Sequence, residues 1–276
     1  MAAFTESATL SNGVKIPYLG LGTWRIADGQ PASDAVRLAL EIGYRHIDTA
    51  AVYGNEIGVG QAIRASRVPR AEIFLTTKVW NDAQRAGPAA VRKAFDESRA
   101  RLGLDYIDLY LLHWAVGSYV ENWKVLEELY AAGQVKAIGV SNFLPHHLET
   151  LVARCTVAPM VNQVEFHPRL VQPELIAACR RHHIVQEAWS PLMKGEVLTI
   201  PELQTLAGQY RKTVPQVVLR WEIQHGVVTI PKSTRAERLR QNAAIFDFQL
   251  APQDMAAIDA LDQHRRIGAD PDNCPF

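Results

Sequence analysis

Short apolar runs alternate along the chain with longer segments in which apolar residues recur at helical spacing. This alternation is typical of strand–helix–strand units and predicts a parallel sheet. Eight runs rich in Val, Ile and Leu are predicted strands, at residues 18–22, 46–48, 73–78, 107–113, 135–140, 160–165, 184–188 and 227–230. Eight units in 276 residues match the usual size of a closed (β/α)8 barrel, so we predict an α/β fold of the TIM-barrel type.

The segments around the strands extend this prediction. Helical patterns that begin at proline or end at glycine occupy residues 31–43, 88–103, 120–133 and 173–183. Asn12-Gly13 between two short runs predicts an N-terminal β-hairpin. After the eighth unit, residues 251–262 predict an additional C-terminal helix followed by a polar tail. We therefore expect residues 1–276 to form a single barrel domain.

An open, doubly wound sheet is the competing architecture. It normally carries a G-x-G-x-x-G turn after its first strand. Here the first strand ends in Gly20-Leu21-Gly22-Thr23-Trp24-Arg25, which lacks the third glycine. The missing glycine favours the closed barrel.

Composition and charge exclude several classes of protein. The chain has 29 Lys plus Arg and 29 Asp plus Glu without a basic run, so we expect no nucleic-acid partner. The N-terminus lacks the pattern of a signal peptide, and no window has the ~20 apolar residues of a membrane span. The three cysteines lack metal-type spacing, so we expect reduced thiols, no metal site and a cytoplasmic location. No long apolar helix face stands out as an interface, which favours a monomer.

Polar and ionisable residues follow seven of the predicted strands at the point where each strand ends. These strand ends are HIDTA, LTTKVW, LYLLHW, IGVSNF, VNQVEFH, QEAWSP and VTIPKS. Active sites of (β/α)8 barrels lie at the carboxyl ends of the strands. Seven polar strand ends in succession therefore predict one site at that rim.

Long, ordered segments of the chain resemble one known family. They are GYRHIDTAAVYGNE (43–56), FLTTKVW (74–80), IDLYLLHW (107–114), GVSNF (139–143), NQVEFHP (162–168), WSPL (189–192) and IPKSTRAERLRQN (230–242). On these segments the chain is similar to the aldo-keto reductases along nearly its whole length, and most like bacterial members of the diketogluconate-reductase and glyoxal-reductase type. The resemblance implies an enzyme that reduces a carbonyl to an alcohol with hydride from a nicotinamide cofactor.

The resemblance implies a catalytic tetrad of Asp48, Tyr53, Lys78 and His113. These residue types also suit the chemistry, because hydride transfer leaves an alkoxide that must gain a proton. Tyr53 is the expected donor, although a phenol with an unperturbed pKa of ~10 is a weak acid at neutral pH. We expect Lys78 to make the phenol a better acid and Asp48 to hold the lysine. His113 is expected to orient the substrate oxygen.

The resemblance also implies residues that hold the nicotinamide end of NADPH. Ser141, Asn142 and Gln163 match the family's contacts with the carboxamide. Trp189 takes the place of the more common tyrosine that stacks on the nicotinamide ring. Other predicted cofactor contacts are Gly22 and Thr23 at the first strand end, Asp48, and the pyrophosphate loop Ser190, Pro191 and Leu192.

The segment after strand eight resembles the segment that binds the adenosine 2′-phosphate in this family. The matching residues are Lys232, Ser233, Thr234, Arg238 and Asn242. Two cations suit a dianionic phosphate better than a ribose hydroxyl, which favours NADPH over NADH.

Three tryptophans follow strands one, three and four. Trp24, Trp80 and Trp114 are predicted to ring the mouth of the site and, with Tyr53 and His113, to contact substrate. The loop after Trp114, the loop after Leu192 and the tail after Leu261 are short, and Ala115 replaces the family's usual proline. Short loops imply an open, shallow site that accepts small aldehydes, ketones, dicarbonyls or keto sugars.

Two other functions compete with carbonyl reduction. A regulatory or structural barrel would bind the cofactor with little turnover, because fold alone does not determine function. An isomerase or aldolase would use Lys78 to form a Schiff base. The four residues of the tetrad argue against the regulatory barrel, and borohydride trapping of substrate on Lys78 would identify the Schiff-base enzyme.

Overall fold

The computed structural model describes residue 4 and residues 6–276, and it has the predicted (β/α)8 barrel preceded by a hairpin. The hairpin strands, β1 (Ser7–Thr9) and β2 (Lys15–Pro17), are antiparallel. The barrel strands are all parallel and are hydrogen-bonded in chain order. They are β3 (Leu21–Gly22), β4 (His46–Asp48), β5 (Phe74–Val79), β6 (Ile107–Leu112), β7 (Val135–Ser141), β8 (Val161–Glu165), β9 (Val185–Trp189) and β10 (Val228–Thr229).

The first and eighth strands meet and close the sheet. Leu19 forms a parallel bridge with Thr229, and the Gly20 N–H donates to Thr229 O at 2.8 Å. A Cβ at Gly20 would lie 2.7 Å from Nδ1 of His46, so this strand passes too close to its neighbour for any larger residue. The first strand is predicted at residues 18–22. Leu19 and Gly20 pair with the eighth strand at Thr229, and regular pairing with β4 is confined to Leu21 and Gly22.

Helices follow the strands and cover the outside of the barrel. They are α1 (Gln30–Ile42), α2 (Glu56–Ala65), α3 (Asn81–Ala86), α4 (Pro88–Leu102), α5 (Tyr119–Ala131), α6 (Pro145–Val152), α7 (Pro173–Arg181), α8 (Pro201–Tyr210), α9 (Val214–Gln224), α10 (Ala236–Ala243) and α11 (Pro252–Asp259). The four helical patterns between strands are confirmed to within two residues. Most of the helices bury apolar residues on one face, as α1 does with Ala32, Val36 and Ala39, whereas α3 buries the polar Asn81 and Gln84.

The interior of the barrel is polar as well as apolar. His46 and Asp48 on β4 contact Glu187 on β9 and Gln163 on β8, which are not neighbours of β4 in the sheet. These side chains must therefore cross the interior. All four are buried, and buried polar groups of this kind are stable only when they satisfy one another.

The C-terminal helix is confirmed as α11, although it ends three residues before the predicted 262. Beyond it the polar tail returns over the carboxyl ends of the strands. Arg169 O accepts hydrogen bonds from the backbone N–H groups of Gln263 and Arg265, at 3.2 and 3.0 Å. Among the described residues, no helix is long and apolar enough to cross a membrane.

Candidate active site

A cavity of about 500 Å³ opens at the carboxyl ends of the barrel strands. Most residues predicted for the site line it. They are Gly22, Trp24, Asp48, Tyr53, Trp80, His113, Trp114, Ser141, Asn142, Gln163, Trp189, Ser190, Pro191 and Lys232. Parallel strands that end on the same rim thus bring together residues that lie far apart in the sequence.

A buried ion pair lies at the floor of this cavity. Lys78 Nζ on β5 is 2.6 Å from Asp48 Oδ2 at the end of β4, and it donates to Thr49 O at 2.9 Å. Lys78 has no exposed surface and does not line the cavity itself. Removing one partner of such a pair costs about 3–5 kcal/mol, because it leaves an uncompensated buried charge.

A single 3₁₀ turn, Ala51–Tyr53, carries Tyr53 over the ion pair. Lys78 Nζ lies 5.1 Å from the centre of the Tyr53 ring. Gly54 ends the turn with a φ of 66°, in the left-handed region that favours glycine. The backbone can therefore leave the turn at once, while the phenol stays directed at the cavity.

Asn55 ties the turn to the rest of the barrel. Its amide nitrogen donates to Thr23 O and Ile26 O at 3.0 Å each, and its amide oxygen accepts from Thr49 Oγ1 at 2.6 Å. Asn55 is fully buried. The segment that bears Tyr53 is thus held from the first and second strand ends together.

His113 directly follows β6 and lies between two aromatic rings. Its ring centre is 5.9 Å from that of Tyr53 and 5.1 Å from that of Trp80, and both pairs are edge-on. Among the described residues, Nδ1 of His113 has no hydrogen-bond partner. The orientation of the imidazole is therefore determined by packing against its neighbours.

The pKa values at the floor follow from burial and from the charge of Lys78. Burial disfavours the lysine's charge, but Asp48, Tyr53 and Glu187 outweigh burial and raise the pKa of Lys78 above its ordinary value. Burial lowers the pKa of His113 well below its ordinary value, and Lys78 lowers it further, so the imidazole is neutral.

Burial and Lys78 change the pKa of Tyr53 in opposite directions. Lys78 lowers the pKa of the phenol as predicted, but burial has the larger effect and raises this pKa to about 12. The predicted effect of Lys78 is therefore present, but burial outweighs it and makes the phenol a weaker acid than usual in the protein alone. The cause is that the turn places the phenol in an enclosed position, which its sequence context does not show.

Ser141, Asn142 and Trp189 form one hydrogen-bonded group. Trp189 Nε1 donates to Asn142 Oδ1 at 2.9 Å. Asn142 Nδ2 donates to His113 O at 2.9 Å and to Ser141 Oγ at 3.1 Å. Ser141 Oγ donates to Gln163 O at 2.8 Å. These bonds fix the indole plane relative to the ends of β7 and β8.

Several predicted cofactor residues lie outside the cavity wall. Thr23 is buried behind it, where its backbone and hydroxyl both bond Asp48 O, at 3.0 and 2.8 Å. Leu192 packs behind the loop that follows Trp189. Beyond Lys232 the chain leaves the cavity through buried Ser233 and exposed Thr234. On α10, Arg238 is exposed and Asn242 is buried.

The three tryptophans differ in exposure. Trp24 is 43% exposed, with the Arg25 guanidinium 4.3 Å from its ring centre. Trp80 is half-buried, and Trp114 is only 6% exposed. Phe276 packs against Trp114, with ring centres 5.6 Å apart.

The C-terminal tail forms one wall of the cavity. Phe276 also packs against Trp80, with ring centres 5.8 Å apart, and Ile267, Gly268 and Ala269 line the opposite part of the wall. The tail, although short, folds back over the strand ends and adds a wall that the expectation of an open, shallow site did not include.

Glu165 anchors the start of this wall. Its carboxylate accepts the Ile267 N–H at 2.5 Å and the Gly268 N–H at 3.1 Å. Gly268 lies against the indole, since a Cβ there would be 2.3 Å from a ring carbon of Trp189. Lys194 Nζ adds a bond to Ile267 O at 3.0 Å.

A second anchor lies near the end of the tail. Asp272 Oδ1 is 3.0 Å from His146 Nε2 and 3.3 Å from His147 Nε2. These three residues have the chemistry of metal ligands, but His147 Nδ1 accepts the Leu144 N–H at 3.1 Å. The proton of a neutral His147 therefore sits on Nε2 and faces Asp272, which suits a hydrogen-bonded anchor.

Sequence reasoning missed two groups of residues around the site. The first comprises the wall residues Val52, Lys194, Ile230, Ile267, Gly268, Ala269 and Phe276. Nothing local marks the four tail residues, because the tail reaches the cavity through distant contacts, whereas Val52, Lys194 and Ile230 lie within two residues of the predicted Tyr53, Leu192 and Lys232. The second is Glu187, which accepts from Gln163 Nε2 at 3.0 Å. The sequence feature that could have identified Glu187 is a carboxyl group within the otherwise largely apolar seventh barrel strand.

Comparisons with known proteins agree with this geometry. The model of the aldo/keto reductase family matches residues 18–263. Glyoxal reductase of Bacillus subtilis is 50% identical over 272 residues, which cover 98% of each chain. Methylglyoxal reductase of Salmonella typhimurium is 45% identical over 95% of this chain and 96% of its own. A Bombyx mori aldo-keto reductase solved in complex with NADP is 37% identical, with a TM-score of 0.90 over 99% of this chain and 97% of its own.

Proposed function

The chain belongs to the aldo/keto reductase family of oxidoreductases, and from this premise we propose that it reduces small carbonyl compounds to alcohols with NADPH. One observation carries the proposal: Tyr53 lies over the buried Lys78–Asp48 pair and beside His113, on the floor of a single cavity. A phenol, an ammonium and an imidazole in this arrangement can protonate and orient a carbonyl oxygen.

Tyr53 is the proposed proton donor. Because burial raises its pKa to about 12, the phenol is protonated throughout the neutral range. The same burial makes the phenolate costly once the proton has left. Lys78 offsets this cost, since its ammonium lowers the pKa of the phenol, and Asp48 keeps that ammonium charged and in place.

His113 is proposed to position the carbonyl oxygen. It is neutral, because burial and Lys78 both lower its pKa, and a neutral imidazole retains one N–H for donation. The rings of Tyr53 and Trp80 hold the imidazole on either side. His113 can then orient the oxygen toward Tyr53 without competing as the acid.

The residues around the cavity fit a nicotinamide cofactor, which when bound supplies the hydride. Trp189 lines the cavity with its indole plane already fixed, as a stacking partner requires. Ser141, Asn142 and Gln163 are the proposed carboxamide contacts beside it. The remaining proposed cofactor contacts are Gly22, Thr23, Asp48, Ser190, Pro191 and Leu192.

NADPH is proposed over NADH because cations lie where the chain leaves the cavity. Lys232 lines the cavity, and Arg238 is exposed on α10 beyond it. With Ser233, Thr234 and Asn242 they are the proposed 2′-phosphate site. The NADP complex of the silkworm relative supports this choice.

The substrate wall favours carbonyls that carry an apolar or aromatic group. Trp24, Trp80, Trp114 and Phe276 line one side of the cavity, and Val52 adds to them. Small aldehydes, ketones and dicarbonyls fit such a wall better than keto sugars, whose hydroxyls would find few partners there. The activity named for the Bacillus subtilis relative supports a dicarbonyl.

The proposal is tested by following the loss of NADPH absorbance with four carbonyl substrates. They are phenylglyoxal, methylglyoxal, a benzaldehyde and a keto sugar acid. Tyr53→Phe is the matched control, because it removes only the hydroxyl. We expect the wild-type protein to turn over, and Tyr53→Phe to lose at least about 10²-fold in kcat while still binding NADPH. Undiminished turnover by Tyr53→Phe would exclude Tyr53 as the donor.

The same assay tests the regulatory alternative, and borohydride trapping tests the Schiff-base alternative. A regulatory barrel would bind NADPH tightly and turn over none of these carbonyls. A Schiff-base enzyme needs a neutral amine within reach of substrate, whereas Lys78 is fully buried, ion-paired and absent from the cavity wall. Borohydride in the presence of substrate is therefore expected to leave Lys78 unmodified.

A further inference from the structure

Glu187 lies on β9 inside the barrel, beneath the floor of the cavity. Its side chain is fully buried and does not line the cavity. A carboxyl in this position is costly unless its neighbours use it. It lies among the groups proposed for catalysis without being one of them.

Glu187 and Asp48 share one partner. Gln163 Nε2 donates to Glu187 Oε2 at 3.0 Å and to Asp48 Oδ2 at 2.8 Å. The two acceptors belong to β9 and β4, and Gln163 belongs to β8 between them in the interior. Both hydrogens of the amide NH2 group are therefore engaged, each by a different strand.

Two engaged hydrogens determine the plane of the Gln163 amide. The torsion that turns a glutamine amide has broad minima, so a single acceptor would leave the plane free to rotate. The opposite orientation would place the amide oxygen against Asp48 Oδ2, which already faces Lys78 as an anion. Gln163 Oε1 accepts no hydrogen bond from the described residues, and Gln163 lines the cavity.

The other oxygen of Glu187 faces His46. Glu187 Oε1 is 3.5 Å from His46 Nε2 and has no closer hydrogen-bond partner among the described residues. Burial lowers the pKa of His46 to about 3, so its ring is neutral. Burial, and then Asp48, raise the pKa of Glu187 to about 8. A proton on Oε1 can point at His46, which leaves Oε2 as the acceptor for Gln163.

We propose that Glu187 is a positioning residue for cofactor binding: it and Asp48 hold the Gln163 amide with its oxygen facing the cavity, where that oxygen accepts an N–H of the nicotinamide carboxamide. The inference rests on the proposed function, since it assumes a nicotinamide cofactor in this cavity. Glu187 acts through Gln163 and touches neither cofactor nor substrate. Its effect is on which cofactor head group the protein prefers.

A cofactor analogue isolates the hydrogen bond in question. The reduced 3-acetylpyridine analogue of NADPH has a methyl ketone in place of the carboxamide, so it retains the oxygen and lacks the N–H donor. Calorimetric Kd values for NADPH and for this analogue give a discrimination ratio that needs no turnover. For the wild-type protein we expect NADPH to bind about tenfold more tightly, as one well-placed hydrogen bond allows.

Glu187→Leu removes the acceptor and is expected to reduce the ratio to about twofold. Glu187→Gln offers Gln163 an amide oxygen in the same place and is expected to keep the ratio within about twofold of wild type. Gln163→Leu should lose the ratio entirely, and adding Glu187→Leu to it should change nothing further. Glu187→Met, which is flexible and apolar, replaces Glu187→Leu if the latter does not fold.

The outcomes distinguish this inference from the proposed function. A wild-type protein that binds neither cofactor would refute the proposed function itself. Tight binding of NADPH with an unchanged ratio in a folded Glu187→Leu or Glu187→Met protein would overturn only the role of Glu187. So would a Glu187→Gln protein that loses the ratio as fully as the apolar variants.

Discussion

The floor and the wall of the cavity are built in opposite ways. The floor consists of Asp48, Lys78 and Gln163 on adjacent or facing strands, buried and joined by hydrogen bonds of 2.6 and 2.8 Å. The wall consists of side chains such as Trp24 and Phe276, which are 43% and 49% exposed and lie on loops and the tail. The difference teaches that the chemistry is fixed by the barrel itself, whereas substrate choice depends on segments that can vary without disturbing it.

Burial also affects the floor and the wall differently. At the floor, burial shifts pKa values strongly, as for Tyr53 and His113. At the wall, exposed aromatic rings contribute area and shape. Changes at the floor should therefore alter rate constants and stability, and changes at the wall should alter KM.

Breaking the ion pair at the floor should have the largest effect. We expect Lys78→Met to reduce kcat by about 10³-fold, because the phenolate of Tyr53 loses its cation. It should also reduce the free energy of unfolding by about 3–5 kcal/mol, because Asp48 is left buried and unpaired. Steady-state kinetics and urea unfolding measure the two losses. The double variant Asp48→Asn/Lys78→Met is the control: it should recover stability without recovering activity.

Glu187 offers a pH test of the same floor. Its pKa is about 8 in the folded protein and 4.5 ordinarily, so between these values the unfolded chain releases a proton that the folded protein keeps. The free energy of unfolding should therefore fall as pH rises from 5 to 8 and level off above 8. Glu187→Gln cannot ionise, so it should gain roughly 3 kcal/mol relative to wild type over this range. If the difference in unfolding free energy between Glu187→Gln and wild type were the same at pH 5 and pH 8, Glu187 would not carry its proton in the folded state.

Removing a side chain from the wall should have the smallest effect, and it should change KM rather than kcat. Phe276→Ala removes a half-exposed ring from Trp80 and Trp114, and we expect KM for phenylglyoxal to rise about fivefold, for roughly 1 kcal/mol of lost contact. kcat should stay within about twofold, and KM for methylglyoxal should change less because it has no ring. A large fall in kcat would mean that the wall also positions the reacting groups, and the contrast with the floor would fail.

The sequence predicts the floor well for a physical reason. Parallel strands in a barrel must end on one rim, so Asp48, Lys78 and His113 could be placed together from strand ends alone. Glu187 escapes the same argument, because it lies within its strand, below the rim. The effect of Lys78 on Tyr53 was predicted in the right direction, but the larger effect of burial was not, because neither the turn nor its enclosure is visible in the residues around it.

The wall could not be predicted in the same way. Phe276 reaches Trp114 because distant residues anchor the tail. Glu165 and Asp272 hold its earlier part, Asn81 and Arg85 donate to Phe276 O, and each of these contacts joins residues about 100 or more positions apart. Such contacts follow no local pattern. A monomeric state and a cytoplasmic location stay predictions.

Gly268 packs directly against the ring of Trp189. A methyl group on this residue would lie 2.3 Å from a ring carbon of Trp189 and 3.1 Å from Glu165 Oε2, so the ring and the tail meet with no space between them. Any larger residue at position 268 would therefore have to displace either the Trp189 ring or the tail. For protein engineering, residue 268 is an adjustment point: it changes the surface offered to a flat ligand while every residue of the floor stays untouched.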